Sequence, residues 1–184
     1  MGLQILDGRG RGYLASVDTD NKLRTLATSE TRMAYESAIK RTAYIWTVSV
    51  DLGADKNVMW LRNDSTDDFL SIYSVVMYAS AATNVEFYVG SGNTVGGTVV
   101  TGINLHVGSG DVAKATCRHT NTNVDAGAGM TLMATAKVGV SGEEQVDFDG
   151  ALILDYNHEL ALNVVTDIAL ITVNVIGYFH PVNS

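Results

Sequence analysis

The chain has 184 residues, 46% hydrophobic and 17% charged, with a formal net charge of −8, 18 glycines, one proline and one cysteine. That content is too apolar for disorder, holds no continuous run of about 18 apolar residues for a membrane span, and has the wrong sign for a broad nucleic-acid footprint. The single cysteine, Cys117, excludes an internal disulfide and fits assembly in a reducing cytoplasm.

Many glycines beside one proline, with Val, Thr, Ala, Tyr and Ile abundant, favour strands joined by tight turns, so the expected class is all-β. Residues 1–41 hold seven of the twelve Lys and Arg against five acids, a balance of +2 that leaves −10 for the remainder. A mildly basic leader thus precedes a strongly acidic body. Residues 1–6 show no basic stretch leading into an apolar one, and Leu6 stands where a myristoylation motif wants Ser or Thr, so neither export signal nor lipid anchor is expected.

In chain order, residues 7–12 read Asp-Gly-Arg-Gly-Arg-Gly, a basic tip with too much glycine to hold structure without a partner. Residues 13–17 and 22–27, separated by the turn-rich Asp18-Thr19-Asp20-Asn21, suit a short hairpin that needs something to lean on. Residues 28–43 have a faint helical pattern, with Met33, Ala34 and Ser37 sharing a face, and read as linker. The leader therefore spans residues 1–43, an extended N-terminal arm, and a β-sandwich spans residues 44–184.

From Tyr44 the strand signals are dense. Trp46, Val48 and Val50 alternate on one side of a first strand, and residues 58–62 form a second before the polar loop of residues 63–68. Residues 69–79 read as a long alternating strand, with Leu70, Ile72, Ser74, Val76 and Tyr78 opposing Phe69, Ser71, Tyr73, Val75 and Met77. Residues 85–89, 99–100, 103–107, 113–117 and 130–138 continue the pattern around a glycine-rich loop at residues 90–97. At the end, the apolar runs 151–154, 160–165 and 168–179 are separated by gaps of hairpin length and read as a β meander. Its last strand pairs an apolar face (Ile171, Val173, Val175, Phe179) with a mixed one (Thr172, Asn174, Tyr178), is expected mid-sheet, and ends at Pro181. About nine or ten strands of ordinary length make a two-sheet sandwich.

None of the motifs that carry chemistry is complete. The loop of residues 90–97 lacks the Gly-Lys-Ser/Thr of a phosphate loop and any helix pattern after it, and reads as a surface connection. Cys117 and His119, with His106, fall short of a zinc set, and His158 and His180 lie on unrelated turns with no group to orient them towards the thiol. Asp64, Asp67 and Asp68, or Asp147 and Asp149, offer the oxygens that calcium takes but do not match an EF-hand loop, and read as turn acids at strand ends. Trp46 and Trp60 alternate with apolar residues and are expected in the core, whereas Tyr13, Tyr35 and Tyr44 are candidates for partner contact. No catalytic residue, metal or cofactor is expected.

The strings Ala15-Ser16-Val17-Asp18 and Asn21-Lys22-Leu23 in the leader, with Gly150-Ala151-Leu152-Ile153-Leu154, Glu159-Leu160-Ala161-Leu162 and Val175-Ile176-Gly177-Tyr178-Phe179 at the end, give a chain that resembles small jelly-roll structural proteins of tailed bacteriophage particles. These are decoration, cement or head-fibre-type proteins with an extended N-terminal arm. The terminal strands are also similar to trimeric jelly rolls of the tumour-necrosis-factor and C1q type. The resemblance implies a jelly-roll-like antiparallel sandwich, a non-enzymatic role in the virion after assembly in the host cytoplasm, and capsid or other virion proteins as partners. The alternative is a carbohydrate- or receptor-binding module of a phage tail or head fibre.

Two sets of contact residues follow. The leader's Leu14, Val17 and Leu23 are spaced by polar residues and need a partner surface to be buried; with Arg9, Arg11, Tyr13, Lys22 and Arg24 they form the expected partner-binding set. In the terminal runs Ile153, Ala161, Val165, Leu170 and Ile176 oppose the core parity, so both faces read as largely apolar and a homotrimer is expected to bury the outer one.

Overall fold

The computed structural model describes residues 37, 40–53, 56–93, 95–119 and 129–182 in full and, in the leader, the backbone of four short strands. The chain separates into two compact units, Met1–Thr31 and Arg32–Ser184. In the first, β1 (Gln4–Leu6) pairs antiparallel with β2 (Gly12–Leu14), and β3 (Ser16–Val17) with β4 (Leu23–Arg24). The side chains of Arg9, Arg11, Tyr13, Leu14, Val17, Lys22, Leu23 and Arg24 lie outside what is described, as do residues 28–36 of the faint helical stretch.

The second unit is built from β5 (Ala43–Leu52), β6 (Lys56–Asn63), β7 (Asp68–Ala79), β8 (Thr83–Ser91), β9 (Thr98–Val99), β10 (Ile103–Asn104), β11 (Ala115–His119), β12 (Thr131–Val138), β13 (Gly142–Leu154), β14 (His158–Val164) and β15 (Ile168–Pro181). A five-stranded sheet runs β10-β5-β15-β7-β13 and a six-stranded sheet β12-β8-β14-β6-β11-β9, every pair antiparallel. Three short strands, β9 to β11, are inserted between β8 and β12. The other eight, counted in chain order, stand as 1-8-3-6 in one sheet and 5-4-7-2 in the other. That order is the jelly roll, two interleaved Greek keys.

The C-terminal strands are therefore not a meander. β13 and β15 belong to the five-stranded sheet and β14 to the six-stranded one, so residues 155–157 and 165–167 arch across the core instead of closing hairpins. A gap of this length serves either connection, and only the partners chosen by each strand decide between them. β15 does lie at the centre of its sheet, between β5 and β7, and its last residue, Pro181, still stands in register with Asp68.

The core lies between the sheets and joins Trp46, Val48, Leu70, Ile72, Val75, Met77, Ile171, Val173 and Val175 from one to Met59, Leu61, Phe87, Leu160 and Leu162 from the other. The expected alternation of residues 69–79 breaks once. Against β15, Ile72 pairs with Gly177 and Ser74 with Ile176, leaving Tyr73 as an extra residue, so the inward set passes from Leu70 and Ile72 to Val75, Met77 and Ala79. β13 answers with a longer bulge: Asp147 pairs with Ser74 and Leu152 with Ile72, and between them Asp149 and Gly150 take φ of 50° and 79°. The Tyr178 phenol occupies the place where a Cβ on Gly150 would stand, which is why glycine sits there.

Candidate functional site

At the end of the sandwich where β5 begins and β15 finishes, a cleft of about 310 Å³ is lined by Lys40, Arg41, Tyr44, Asp68, Asp111 and Lys114. Its acid is fixed by the β6–β7 loop. Ser65 Oγ donates to Asp68 Oδ2 at 3.0 Å and accepts from the Asp68 N–H at 3.1 Å, while Asn63 Nδ2 donates to the Asp68 carbonyl at 2.8 Å. Lys114, at the bend just before β11, places Nζ 2.6 Å from Asp68 Oδ2. Burial alone would raise the Asp68 carboxyl, but the Lys114 ammonium and the Ser65 hydroxyl outweigh it and hold it below the usual carboxylate range. The hydrogen bond to Asp68 in turn raises the Lys114 ammonium. Burial also raises the Tyr44 phenol, with a hydrogen bond from Asn104 acting the other way and the Asp111 charge reinforcing the rise.

This pair sets an acid dependence. A carboxyl whose folded value lies below its unfolded one, about 4, contributes stability above that pH and loses it as pH falls through the folded value. Asp68→Asn is expected to flatten the stability-against-pH curve below about pH 4, measured by urea midpoints from pH 2 to 7. An unchanged acid limb would assign the dependence to other carboxylates.

Two of the other acids read as calcium candidates, Asp64 and Asp147, have carboxylates engaged within the protein. Asp64 accepts from Arg62 Nε at 2.7 Å and Thr116 Oγ1 at 2.5 Å, and Asp147 from Gln145 Nε2 at 2.7 Å. Asp67 N–H points to Ser65 Oγ at 3.3 Å. Among the described residues no three His, Cys, Asp or Glu side chains converge as a metal set. Cys117 faces the core, and burial pushes its thiol well above the ordinary range, which keeps it protonated and unreactive.

A second polar centre was not visible in the sequence. Glu159, grouped with the turn before β14, lies within the strand and is fully buried on the outer face of the six-stranded sheet. Trp60 Nε1 donates to its Oε2 at 2.5 Å, and the Asn93 N–H and Nδ2 donate to its Oε1 at 3.1 and 2.5 Å. Arg62 stacks over Trp60 at 5.3 Å and donates to the Asn93 carbonyl at 3.2 Å. The glycine-rich loop is thereby drawn over the sheet, and Trp60, Tyr88, Val95, Met130 and Ala161 close a small second core beneath it. Trp60 is thus buried outside the main core expected for it. The available signal was parity: Glu159, Ala161 and Asn163 share one side of β14, and all three are buried.

The residues expected at an oligomer interface do not share a face. Ile153 and Leu170 are exposed and Ile176 half-buried, all on the five-stranded sheet. Ala161 is fully buried under the loop of the six-stranded sheet and offers no outward surface, and Val165, half-buried beyond β14, donates its N–H to the Asn84 carbonyl. The outer face of β15 is also less apolar than expected, because Thr172 and Asn174 hydrogen-bond Ser49 and Thr47 of β5 at 2.9 and 2.8 Å.

Fold and site together define a jelly-roll β-sandwich with a separate N-terminal unit, a mixed-charge cleft at one end and a carboxylate-pinned loop on one face. No protein-family model matches the chain, and no curated protein matches it. No helix among the described residues is long and apolar enough to cross a membrane.

Proposed function

We propose that this chain is a non-enzymatic structural protein of a tailed-bacteriophage virion, assembled in the host cytoplasm, that attaches to the capsid through its N-terminal leader and acts as a homotrimeric decoration or cement protein. The observation that carries this reading is the join of a jelly-roll body, an architecture common in viral capsid proteins, to a separate leader unit of 31 residues. Among the described residues the leader's strand pairs are two or three residues long, too few to offset an ordering cost of about 1–2 kcal/mol per residue, which supports a partner surface as what orders it.

Deleting residues 1–31 is expected to leave the circular dichroism and cooperative melting of the body intact while abolishing co-sedimentation with particles. The cut is placed there because the Arg41 and Thr42 carbonyls accept from Asn104 Nδ2 and the Phe179 N–H at 2.8 and 3.0 Å, so those residues belong to the body. Particles made without the protein should lose robustness to heat or chelator. Particles of unchanged robustness, or a full-length chain that does not co-purify with them, would end the reading.

The second reading, a carbohydrate- or receptor-binding module of a tail or head fibre, is favoured by the cleft at Tyr44, whose Lys and Asp side chains suit a polar ligand. Saturable binding on a glycan array, lost in Lys114→Ala, would select it over the first.

A further inference from the structure

We propose that copies of this chain associate head to tail through the two unlike edges of the five-stranded sheet, the acidic β13 edge of one copy meeting the basic, apolar β10 side of the next. This rests on the homotrimer reading above and names its surfaces. β10 and β13 are the opposite ends of one sheet. Among the described residues β10 covers only Tyr44 and Ile45 of β5, with no strand beside the rest of β5 on that side, and nine of the thirteen residues of β13 pair, with β7 alone. Both edges therefore offer unpaired backbone groups to another chain.

Their charges are opposite. Along β13 every second side chain from Glu143 to Ile153 is exposed, which sets Glu143, Asp147 and Asp149 in one outward row beside Gln145. Among the described residues the ion pairs are Arg62–Asp64 and Lys114–Asp68, and neither involves that row. Towards β10, at the end where β5 begins, two clefts that share Val112 are lined by four cations, Lys40, Arg41, Lys114 and Arg118, against two carboxylates, Asp68 and Asp111; Lys114 is paired with Asp68, and Arg118 comes from β11 of the neighbouring sheet. Cations outnumber acids there, although residues 42–184 as a whole carry −10. The same side shows apolar groups that water does not favour: Val107 is 93% and Val112 76% exposed, with Val99 and Ile103 close behind.

Acidic bodies repel one another, so a contact that sets like edge against like edge would place two carboxylate rows together. Opposite edges instead bring a carboxylate row to a basic, apolar side. A contact of that kind is heterologous: each copy uses both edges once, and the series closes as a ring when the rotation allows it. Three copies are the ring that the homotrimer reading requires.

The test uses the full chain and its mass in solution. Wild type is expected at three times the monomer mass. Glu143→Lys with Asp147→Lys makes both edges basic, and Lys40→Glu with Arg41→Glu makes both acidic; each double variant is expected to fall threefold in mass at micromolar concentration while keeping its circular dichroism. The variant with all four changes exchanges the two charges and is expected to recover the threefold mass, which a misfolded surface would not do. A wild-type monomer would end the trimer reading itself. A wild-type trimer that survives either reversal, or that four changes fail to restore, would overturn the edge pairing and leave the trimer standing.

Discussion

Truncating Trp46 to alanine is expected to cost about 3–5 kcal/mol, the largest loss from any one side chain of the main core, and to lower the melting temperature by roughly 10 °C. Trp46 is fully buried on β5, with Tyr44 at 6.0 Å between ring centroids and Gly102 laid against the indole. A Cβ on Gly102 would come within 2.6 Å of Nε1 and 2.8 Å of Cε2, so the insertion carrying β9 and β10 is moulded to this ring. Alanine leaves a cavity that the flanking strands cannot close, because β5 is held by β15 along most of its length. Trp46→Phe separates two contributions. It removes an indole N–H that has no hydrogen-bond partner among the described residues, and it opens the space that Gly102 needs. Gly102→Ala is therefore expected to be destabilising in wild type and nearly neutral beside Trp46→Phe, as read by urea midpoints of the four-member cycle. Equal costs in both backgrounds would show that Gly102 serves its turn and not the ring.

Glu159→Ala is expected to cost about 3 kcal/mol and to free the loop that follows β8. The carboxylate satisfies three donors, Trp60 Nε1, the Asn93 N–H and Asn93 Nδ2. Removing it leaves buried donors unpaired at about 1–3 kcal/mol each, and the loop can then lift only by exposing Trp60, Val95 and Met130. Hydrogen exchange at residues 92–97 should speed by two orders of magnitude or more, while exchange in β15 changes only in step with global stability. Glu159→Gln keeps an acceptor but turns an amide towards one of the donors, so an intermediate loss is expected. A loop that exchanges at the wild-type rate in Glu159→Ala would mean that the second core alone retains it.

The all-β class, most strand positions, the central place of β15 and the acidic balance of residues 42–184 were all legible in the residues. These depend on period-two alternation, turn residues and local charge, each of which acts within a few positions along the chain. β13 was seen only from residue 151, because Glu143, Gln145, Asp147 and Asp149 make its outward side acidic and resemble a loop. Glu159 was missed for the converse reason: a carboxylate beside a turn reads as solvated unless something is known to cover it, and its cover comes from Asn93, 66 positions away. The interface set named from parity alone failed at Ala161, since parity assigns a side chain to one face of a strand and says nothing of what a loop lays over that face.

By itself the sequence determined that this chain is all-β, with alternating strands that each turn one apolar side to a core. Tertiary structure alone decided which sheet each strand joins, turning an apparent meander into arches and the whole into a jelly roll, and it set the acidic β13 and the short β10 at opposite ends of one sheet. The physical reason is that alternation specifies a strand and its inward face, whereas the choice of neighbour is made by long-range pairing between segments that the chain brings together only when it closes.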